Sequence, residues 1–202
     1  QYNFYSNGSL LFTTDNTILN EESVHYAMLQ RKSSEDVLIV SGGVSGMIDE
    51  VLKYPLVKSI DYLELNPQLV GMASKYKQLP IDSRFKYIPS DGRRFIQTTD
   101  KIYDVAIFAI PEPSSLQINR FYTDEFLQIL KRKLSKDAVI TYGLPPAGNY
   151  ISPIKAHIEA SIYQTLKKNF RNVEIIPGEK DYLLASDSAI NVDIAAIAAG
   201  SG

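Results

Sequence analysis

The chain has 202 residues, 45% of them apolar, and a formal net charge of −2. This balance suits a single globular domain and provides no basic surface for nucleic acid. Because the chain has no cysteine and only two histidines, we expect no disulfide, no thiolate chemistry and no metal site. No apolar run reaches the roughly 18 residues of a membrane-spanning helix, so we expect no membrane contact from this chain.

The first thirty residues, 1–30, are predicted to form a small β-hairpin followed by a helix. The Asn-Gly pair at 7–8 favours a tight turn, because both residues accept positive φ angles, and 10–13 is predicted as the returning strand. The polar residues at 20–23 are candidate helix caps, which predicts a helix over 24–30.

From residue 36 onward, strand and helix patterns alternate. The continuous apolar run at 37–40 is typical of a strand that is covered on both faces of a sheet. Two strands at the end, 173–176 and 181–186, follow one another without a helix and therefore predict an antiparallel hairpin. The remaining predicted elements are strands at 57–65, 85–88, 104–110 and 138–142, and helices to about 54, from 67, and at 92–97, 123–133 and 153–169.

These elements define the predicted fold class. Parallel strands joined by helices require right-handed crossovers, so the fold is α/β with a doubly wound, mostly parallel, seven-stranded Rossmann-like sheet. The closing antiparallel hairpin favours the class I methyltransferase type of this sheet over a plain dinucleotide-binding one. We expect the Rossmann-like domain to span 31–188, and the low-complexity tail, 189–202, to be a linker outside the fold.

A glycine-rich turn follows the first strand of the predicted sheet. Gly42, Gly43 and Gly46 would let a ligand approach the backbone closely at the start of a helix. Glu64 ends the second strand, 22 residues beyond Gly42. A carboxylate at that spacing can accept both hydroxyls of a ribose, and the alternative is an exposed glutamate at a strand end.

Asp91 and Gly92 lie just past the third strand, at the edge where sheets of this kind bind ligands. The Asp91 carboxylate can accept the exocyclic amine of adenine, while Gly92 permits the turn. Because aspartate is also a favoured helix cap, both roles stay open.

The fourth strand ends in the segment 108–115, which faces the reacting end of a ligand in such a sheet. Its two prolines prevent it from continuing as a helix, and Glu112 is its only carboxylate. Glu112 is therefore a candidate catalytic group, and a loop-capping role accounts for it equally well.

Six segments form an ordered set along the chain: 22–25, 37–43, 53–55, 62–67, 90–92 and 119–126. This set resembles the spermidine and spermine synthases, which are polyamine aminopropyltransferases. The Ser-Gly-Gly turn at 41–43 and the Pro-Glu-Pro loop at 111–113 are most similar to a bacterial subgroup whose synthase domain is fused to membrane-spanning segments. The resemblance implies a cytoplasmic protein, or the cytoplasmic domain of a membrane-attached one.

The resemblance also implies a substrate and a reaction. Decarboxylated S-adenosylmethionine, or S-adenosylmethionine, would be a co-substrate rather than a tightly bound cofactor, and an amine of a polyamine would attack the carbon beside its sulfonium. Glu64 and Asp91 match the family's nucleoside-binding acids, and His25 matches a polar ligand contact. Synthases of this family also commonly pair, so a homodimer is expected.

Three positions depart from the family pattern on the reacting side of the site. Val44 stands for the acidic residue of the glycine turn, Ala109 for the catalytic aspartate and Leu11 for a glutamine of the hairpin. Neither Val nor Ala can accept a proton, which leaves Glu112 as the substitute. The sequence therefore predicts a spermidine synthase-like protein. The alternatives are a catalytically inactive nucleoside-binding or assembly domain and a small-molecule methyltransferase.

Overall fold

The computed structural model describes residues 2–6, 9–14, 16–31, 33–76, 78–146 and 152–199, with the backbone alone at 6 and 9–12. The chain opens with strands β1 (Asn3–Ser6) and β2 (Ser9–Thr13), which pair in antiparallel fashion in a sheet of their own. The predicted N-terminal hairpin is therefore confirmed. Its turn at 7–8 lies outside the described residues.

The first helix, α1 (Thr17–Met28), begins seven residues before the helix predicted over 24–30. Its N-cap is Asn16, whose side chain accepts a hydrogen bond from a backbone amide of the first turn at 3.3 Å. The prediction of caps at 20–23 was wrong. The polar side chains at 20 and 23 are buried inside the helix and bond to partners elsewhere in the fold.

Seven strands form the main sheet in the order β5-β4-β3-β6-β7-β9-β8. The first five in this order run parallel, and β9 is antiparallel to both of its neighbours. The predicted fold class is confirmed. The strands are β3 (Asp36–Val40), β4 (Ser59–Leu63), β5 (Phe85–Ile88), β6 (Tyr103–Phe108), β7 (Leu134–Leu144), β8 (Asn172–Pro177) and β9 (Asp181–Ser186).

Strand β7 is longer than the sequence indicated. It has 11 residues, whereas the apolar pattern predicted a strand over 138–142 only. At its start Leu134 pairs with Tyr103 of β6, and at its end Leu144 pairs with Asp181 of β9. Pairing with two neighbours therefore sets the ends of the strand, and the polar residues 135–137 lie where the register with β6 shifts between Tyr103 and Val105.

Helices connect the strands and cover both faces of the sheet. One of them, α8, lies in the tail expected to be a linker, where Ile190 and Ile194 pack against the core. None of the described helices is long and apolar enough to cross a membrane. The helices are a 3₁₀ turn (Gly43–Ser45), α2 (Met47–Leu52), α3 (Pro67–Ala73), α4 (Gly92–Thr98), α5 (Leu116–Asn119), α6 (Asp124–Lys131), α7 (Pro153–Asn169) and α8 (Ile194–Ala199).

The sheet separates two apolar clusters. Alternate residues of β6 show this, because Val105 and Ile107 belong to the cluster under α1 and α2. Ala106 and Phe108 belong to the cluster under α6 and α7. Burial on both faces explains the continuous apolar runs of the parallel strands. Since both faces are covered, the ends of the strands are the places where a ligand can reach the sheet.

Candidate functional site

The carboxyl ends of β3, β4 and β6 meet at one edge of the sheet. The pairing continues past the strands, since Ser41 N–H donates to Leu63 O at 2.8 Å. Likewise, Ala109 N–H donates to Val40 O at 3.0 Å. The chain leaves β3 toward β4 on one side of the sheet and later returns beside it as β6. This edge is therefore a topological switch point, the place where open α/β sheets bind ligands.

The glycine turn after β3 lies directly on the ends of the neighbouring strands. Gly42 and Gly46 have positive φ angles of 70° and 131°. A side chain at Gly42 would place its Cβ 2.6 Å from the Cβ of Ala109. At Gly43 a Cβ would meet the ring of Tyr62 at 2.8 Å. Backbone conformation and close packing thus both require glycine in this turn.

Helix α1 is tied to the glycine turn by two hydrogen bonds. The Asn20 side-chain amide donates to the Ser45 carbonyl at 3.0 Å, and the Ser45 hydroxyl donates to Asn20 Oδ1 at 2.7 Å. Both residues are buried. Sequence reasoning assigned Asn20 to a helix cap and missed this contact, because nothing in the local sequence points to a partner 25 residues away.

Glu64 follows β4 and is 7% exposed. One carboxylate oxygen accepts a hydrogen bond from the Ser41 hydroxyl at 2.8 Å, and the other accepts one from the Asn66 amide at 3.0 Å. Burial and the charge of Glu64 raise the pKa of Tyr62, so this phenol stays neutral. A buried acid fixed beside the glycine turn does not fit the alternative of an exposed glutamate at a strand end.

Asp91 is the N-cap of α4, since its Oδ1 accepts a hydrogen bond from the Arg94 amide at 3.0 Å. Its other oxygen forms an ion pair with Arg120, which follows α5. The capping role is confirmed, and the adenine contact stays a prediction. Sequence reasoning missed Arg120, although it stands in the 119–126 segment that carries the family resemblance.

Gly92 packs the start of α4 against β3. A Cβ at this position would lie 3.0 Å from Val40 Cγ1 and 3.2 Å from the Phe121 ring. The Arg120 guanidinium lies 5.1 Å from the centre of the same ring. The φ angle of Gly92 is not positive. Glycine is therefore needed here for helix–strand packing, rather than for the turn that the sequence suggested.

His25 lies on α1 and contacts α2. Its Nδ1 hydrogen-bonds with the Tyr54 hydroxyl at 2.7 Å, and its Nε2 lies 3.2 Å from Glu50 Oε2. Burial and the charge of Glu50 raise the pKa of Tyr54 to about 12. Both ring nitrogens of His25 have protein partners. The predicted ligand contact therefore requires one nitrogen to exchange its protein partner for the ligand. Ligand atoms of Glu21, His25 and Glu50 lie within 4.8 Å of one another, but Lys53 already supplies a cation to Glu50.

Glu112 is half-buried in the loop after β6. Its charge acts on Tyr122, whose pKa is raised by burial first and by Glu112 second. The Tyr122 hydroxyl donates to the Pro111 carbonyl at 2.8 Å, which fixes this end of the loop. Glu112 is not among the described residues that line the cavity beside Ala109. Its catalytic role stays a prediction.

The positions that depart from the family pattern lie in different surroundings. Val44 is 3% exposed and belongs to the core under α1 and α2. Leu11 lies in β2, and its side chain is outside the described residues. Ala109 borders a small cavity that no sequence motif predicted. The cavity is lined by Ser23, Ile107, Phe108, Ala109, Thr141, Gly143, Lys180 and Tyr182.

The strand order, with its switch point between β4 and β6, and the antiparallel β9 together define a Rossmann-like fold of the class I methyltransferase type. The family model for the spermine/spermidine synthase domain matches residues 16–177. The chain therefore belongs to the spermine/spermidine synthase family, as its sequence motifs indicated.

Curated relatives of the chain carry the name polyamine aminopropyltransferase. The protein of Oceanobacillus iheyensis is 28% identical over 205 residues, which cover 94% of this chain and 39% of that protein. The protein of Prochlorococcus marinus is 30% identical over 163 residues, which cover 78% of this chain and 56% of that protein. The chain thus spans about two fifths to somewhat over half of the length of these two relatives.

Solved structures share the fold. A spermidine synthase in complex with the transition state analogue AdoDATO superposes with a TM-score of 0.81 at 23% identity, covering 95% of this chain and 68% of that one. The spermidine synthase of Thermotoga maritima gives 0.78, also at 23% identity, with 95% and 67% covered. Human methyltransferase-like protein 13 in complex with SAH gives 0.69 at 18% identity, with 92% and 88% covered. At these identities the likeness establishes the fold.

Proposed function

We propose that this domain binds the adenosine part of an S-adenosyl co-substrate at the switch point. The co-substrate is decarboxylated S-adenosylmethionine or S-adenosylmethionine, and no cofactor is tightly bound. The protein then transfers the alkyl group on the sulfur to an amine, and in this family the form of that reaction is aminopropyl transfer to a polyamine. The observation that carries the proposal is the buried Glu64 carboxylate held beside the glycine turn.

Glu64 is suited to a ribose because its carboxylate is already desolvated and oriented. Its two contacts, from Ser41 and Asn66, leave lone pairs on each oxygen, since an ionised carboxylate accepts about four hydrogen bonds. Vicinal hydroxyls can use the remaining positions without displacing the protein donors. The cost of fixing the carboxylate is met in folding, which favours binding.

Asp91 is suited to the base end of the same ligand. Its carboxylate follows β5 at the neighbouring strand end, and the Arg94 amide and Arg120 hold both of its oxygens. An oxygen so held can accept one further hydrogen bond from an exocyclic amine. Gly42, Gly43 and Gly46 supply the close backbone approach between the two acids.

The transfer step requires an amine in line with the carbon that leaves the sulfonium, and a group that accepts the amine proton. Glu112 is the proposed acceptor because it is the only carboxylate in the loop that follows β6. Release of methylthioadenosine from decarboxylated S-adenosylmethionine with putrescine or spermidine measures this reaction. Absence of release with any diamine contradicts aminopropyl transfer and leaves nucleoside binding to be judged separately.

Replacing Glu64 by Gln tests the nucleoside site. We expect the variant to bind methylthioadenosine about 10- to 100-fold more weakly, because hydrogen bonds to a charged acceptor contribute about 1.5–3 kcal/mol. Isothermal titration calorimetry measures the affinity. The matched control is Glu174→Gln in edge strand β8, which should bind like the wild type. Equal affinity of the Glu64 variant, or no binding by the wild type, contradicts the proposal.

We also propose the assignments that the resemblance implies for the whole protein. These are a cytoplasmic protein, or the cytoplasmic domain of a membrane-attached one, which pairs as a homodimer. From the sequence we propose a hairpin and helix at 1–30, a Rossmann-like domain at 31–188 and a tail at 189–202, which packs against the domain through Ile190 and Ile194. Sedimentation velocity of the purified chain tests the pairing, and a concentration-independent monomer contradicts it.

A further inference from the structure

Arg120 reaches Asp91 across the edge at which the nucleoside is proposed to bind. Asp91 follows β5, whereas Arg120 follows α5, the helix after the loop at the end of β6. Two strands, β4 and β3, lie between β5 and β6 in the sheet. The ion pair between Asp91 and Arg120 therefore connects segments from both sides of the switch point.

Packing around Arg120 restricts the position of its guanidinium group. The central carbon of this group lies 5.1 Å from the centre of the Phe121 ring. Phe121 is buried, and the start of α4 packs on its ring at Gly92. On the main chain, the Arg120 carbonyl accepts a hydrogen bond from the Arg93 side chain at 3.2 Å. A planar cation held by a ring and a carboxylate loses little conformational freedom when it binds a ligand.

The guanidinium group has donors beyond the one that Asp91 uses. It carries five N–H groups in one plane and stays charged. Nη2 donates to Asp91 Oδ2, and Nε is buried without a hydrogen-bond partner in the described part of the chain. Nη1 likewise forms no hydrogen bond with a described residue. Because 31% of the side chain is exposed, a ligand beside Asp91 can reach Nη1.

The ion pair thus offers an acceptor and a donor side by side. Adenine presents the complementary groups, because its 6-amino group donates and the ring nitrogens on either side of it, N1 and N7, accept. Asp91 and Arg120 together match two adjacent groups on one edge of the base. Hydrogen bonds in which the donor or the acceptor is charged are the stronger ones, so both contacts favour this base.

We propose that Arg120 is a specificity-determining residue of the nucleoside site. It donates a hydrogen bond to a ring nitrogen beside the 6-amino group of adenine, while Asp91 accepts one from that amino group. The inference rests on the proposed function and leaves its substrate class unchanged. It adds the requirement that the base carry an acceptor next to an amino group. N1 and N7 both supply such an acceptor, and the test distinguishes them.

Calorimetry on the full chain compares methylthioadenosine with its 1-deaza and 7-deaza analogues, in each of which a C–H group replaces one ring nitrogen. The wild type should bind methylthioadenosine about 10- to 100-fold more tightly than one of the two analogues, because that analogue lacks the acceptor for Arg120. Weaker binding of the 1-deaza analogue assigns the contact to N1, and weaker binding of the 7-deaza analogue assigns it to N7. Equal affinity for all three nucleosides overturns the inference.

Arg120→Met removes the donor and should bring the affected ratio of affinities close to one. The matched control is Arg94→Met, which removes an exposed side chain from the residue whose backbone amide contacts Asp91. The control should keep the wild-type ratio. A wild-type ratio in Arg120→Met would assign the ring nitrogen to backbone amides at the start of α4 and overturn the inference.

The ratio of affinities separates recognition of the base from a structural role of the ion pair. Loss of the ion pair should weaken the binding of all three nucleosides together, because Asp91 loses a partner that orients it, and this common effect cancels in the ratio.

Arg120→Gln is a second variant, for use if Arg120→Met does not fold. Its single amide nitrogen can still donate to Asp91 but provides no second donor nitrogen, so its ratio should also fall close to one. A wild-type ratio in this variant overturns the inference. Failure of methylthioadenosine to bind the wild type contradicts the proposed function instead.

Discussion

Backbone conformation and close packing restrict which residues the glycine turn can contain, independently of any ligand. Ser41 and Gly42 both have left-handed backbone conformations, with φ angles of 63° and 70°. A non-glycine residue adopts this conformation at a cost, and at Ser41 the hydroxyl bond to Glu64 helps to hold it. Strained residues of this kind gather at functional sites. Two consecutive left-handed residues here turn the backbone across the end of β6.

Gly42→Ala tests this packing. The added Cβ would meet Ala109 at 2.6 Å on a backbone with positive φ, so we expect the free energy of unfolding to fall by about 2–4 kcal/mol. Gly71→Ala in α3 is the matched control, because no atom lies within 4 Å of the added group there. The control should gain about 0.5–1 kcal/mol. Urea unfolding compares them, and equal stabilities contradict the described turn.

A candidate site residue could be predicted from the sequence where it directly follows a predicted strand at a characteristic spacing from the glycine turn. Glu64 and the glycines follow from such a pattern, because the carboxyl ends of parallel strands meet at one edge. Arg120 could not be found in this way, because it reaches Asp91 from a segment 29 residues further along the chain. The prediction for His25 rested on the family resemblance alone, which does not reveal that both ring nitrogens bond to the protein.

At the scale of elements, Asp104 joins the amino-terminal ends of three strands to the segment after α1. Its carboxylate accepts hydrogen bonds from the Glu35 amide at 2.8 Å and the Ser135 hydroxyl at 2.7 Å. It also accepts one from the Asp36 amide at 3.3 Å and from Arg31 at 3.0 Å. Burial tends to raise the pKa of Asp104, but these donors together outweigh it and lower the pKa.

The lowered pKa of Asp104 predicts a pH dependence of stability. Its contribution should be fully present above about pH 4, the unfolded pKa, and should be lost as the pH falls through the lower folded pKa. Asp104→Asn should therefore cost about 1–3 kcal/mol at pH 7 and progressively less below pH 4. Asp100→Asn, at an exposed position nearby, is the control and should change little. A pH-independent difference in urea unfolding contradicts this account.

The type of each secondary-structure element could be predicted from the sequence more accurately than its length. The apolar runs predicted the strands and their parallel arrangement, because a strand that is buried on both faces has a continuous run of apolar residues. Helix α1 was placed too late because buried polar residues were interpreted as caps. The ends of β7 were missed because pairing with β6 and β9 sets them, whereas the polar residues there have no strand preference.

At the scale of the whole molecule, the tail after β9 is part of the packing. Ile190 and Ile194 are partly buried against the cluster under α1 and α2. Gln30 and Asn191 exchange two hydrogen bonds, at 3.0 and 2.9 Å. The composition of 189–202 predicted a linker because alanine and glycine dominate it, and its few apolar contacts give no periodic signal.

Deletion of 189–202 tests whether this tail stabilises the domain. Loss of the Ile190 and Ile194 contacts should cost about 2 kcal/mol, which lowers the melting temperature by about 4–8 °C in a domain of this size. Deletion of 195–202, which keeps both isoleucines, should have a smaller effect. If the longer deletion melts like the full chain, the segment is a linker as its composition suggested. Differential scanning calorimetry makes the comparison.

The cavity beside Ala109 draws its walls from opposite ends of the chain. Ser23 lies on the first helix and hydrogen-bonds with Tyr182 of the last strand, 159 residues later, at 3.2 Å. A ribosome that adds roughly 5–20 residues per second produces these two residues about 8–30 s apart. The glycine turn and Glu64 therefore exist in the nascent chain well before Lys180 emerges. During synthesis the glycine turn and its surroundings can therefore fold early, whereas the cavity beside Ala109 is closed only when the last hairpin docks onto α1.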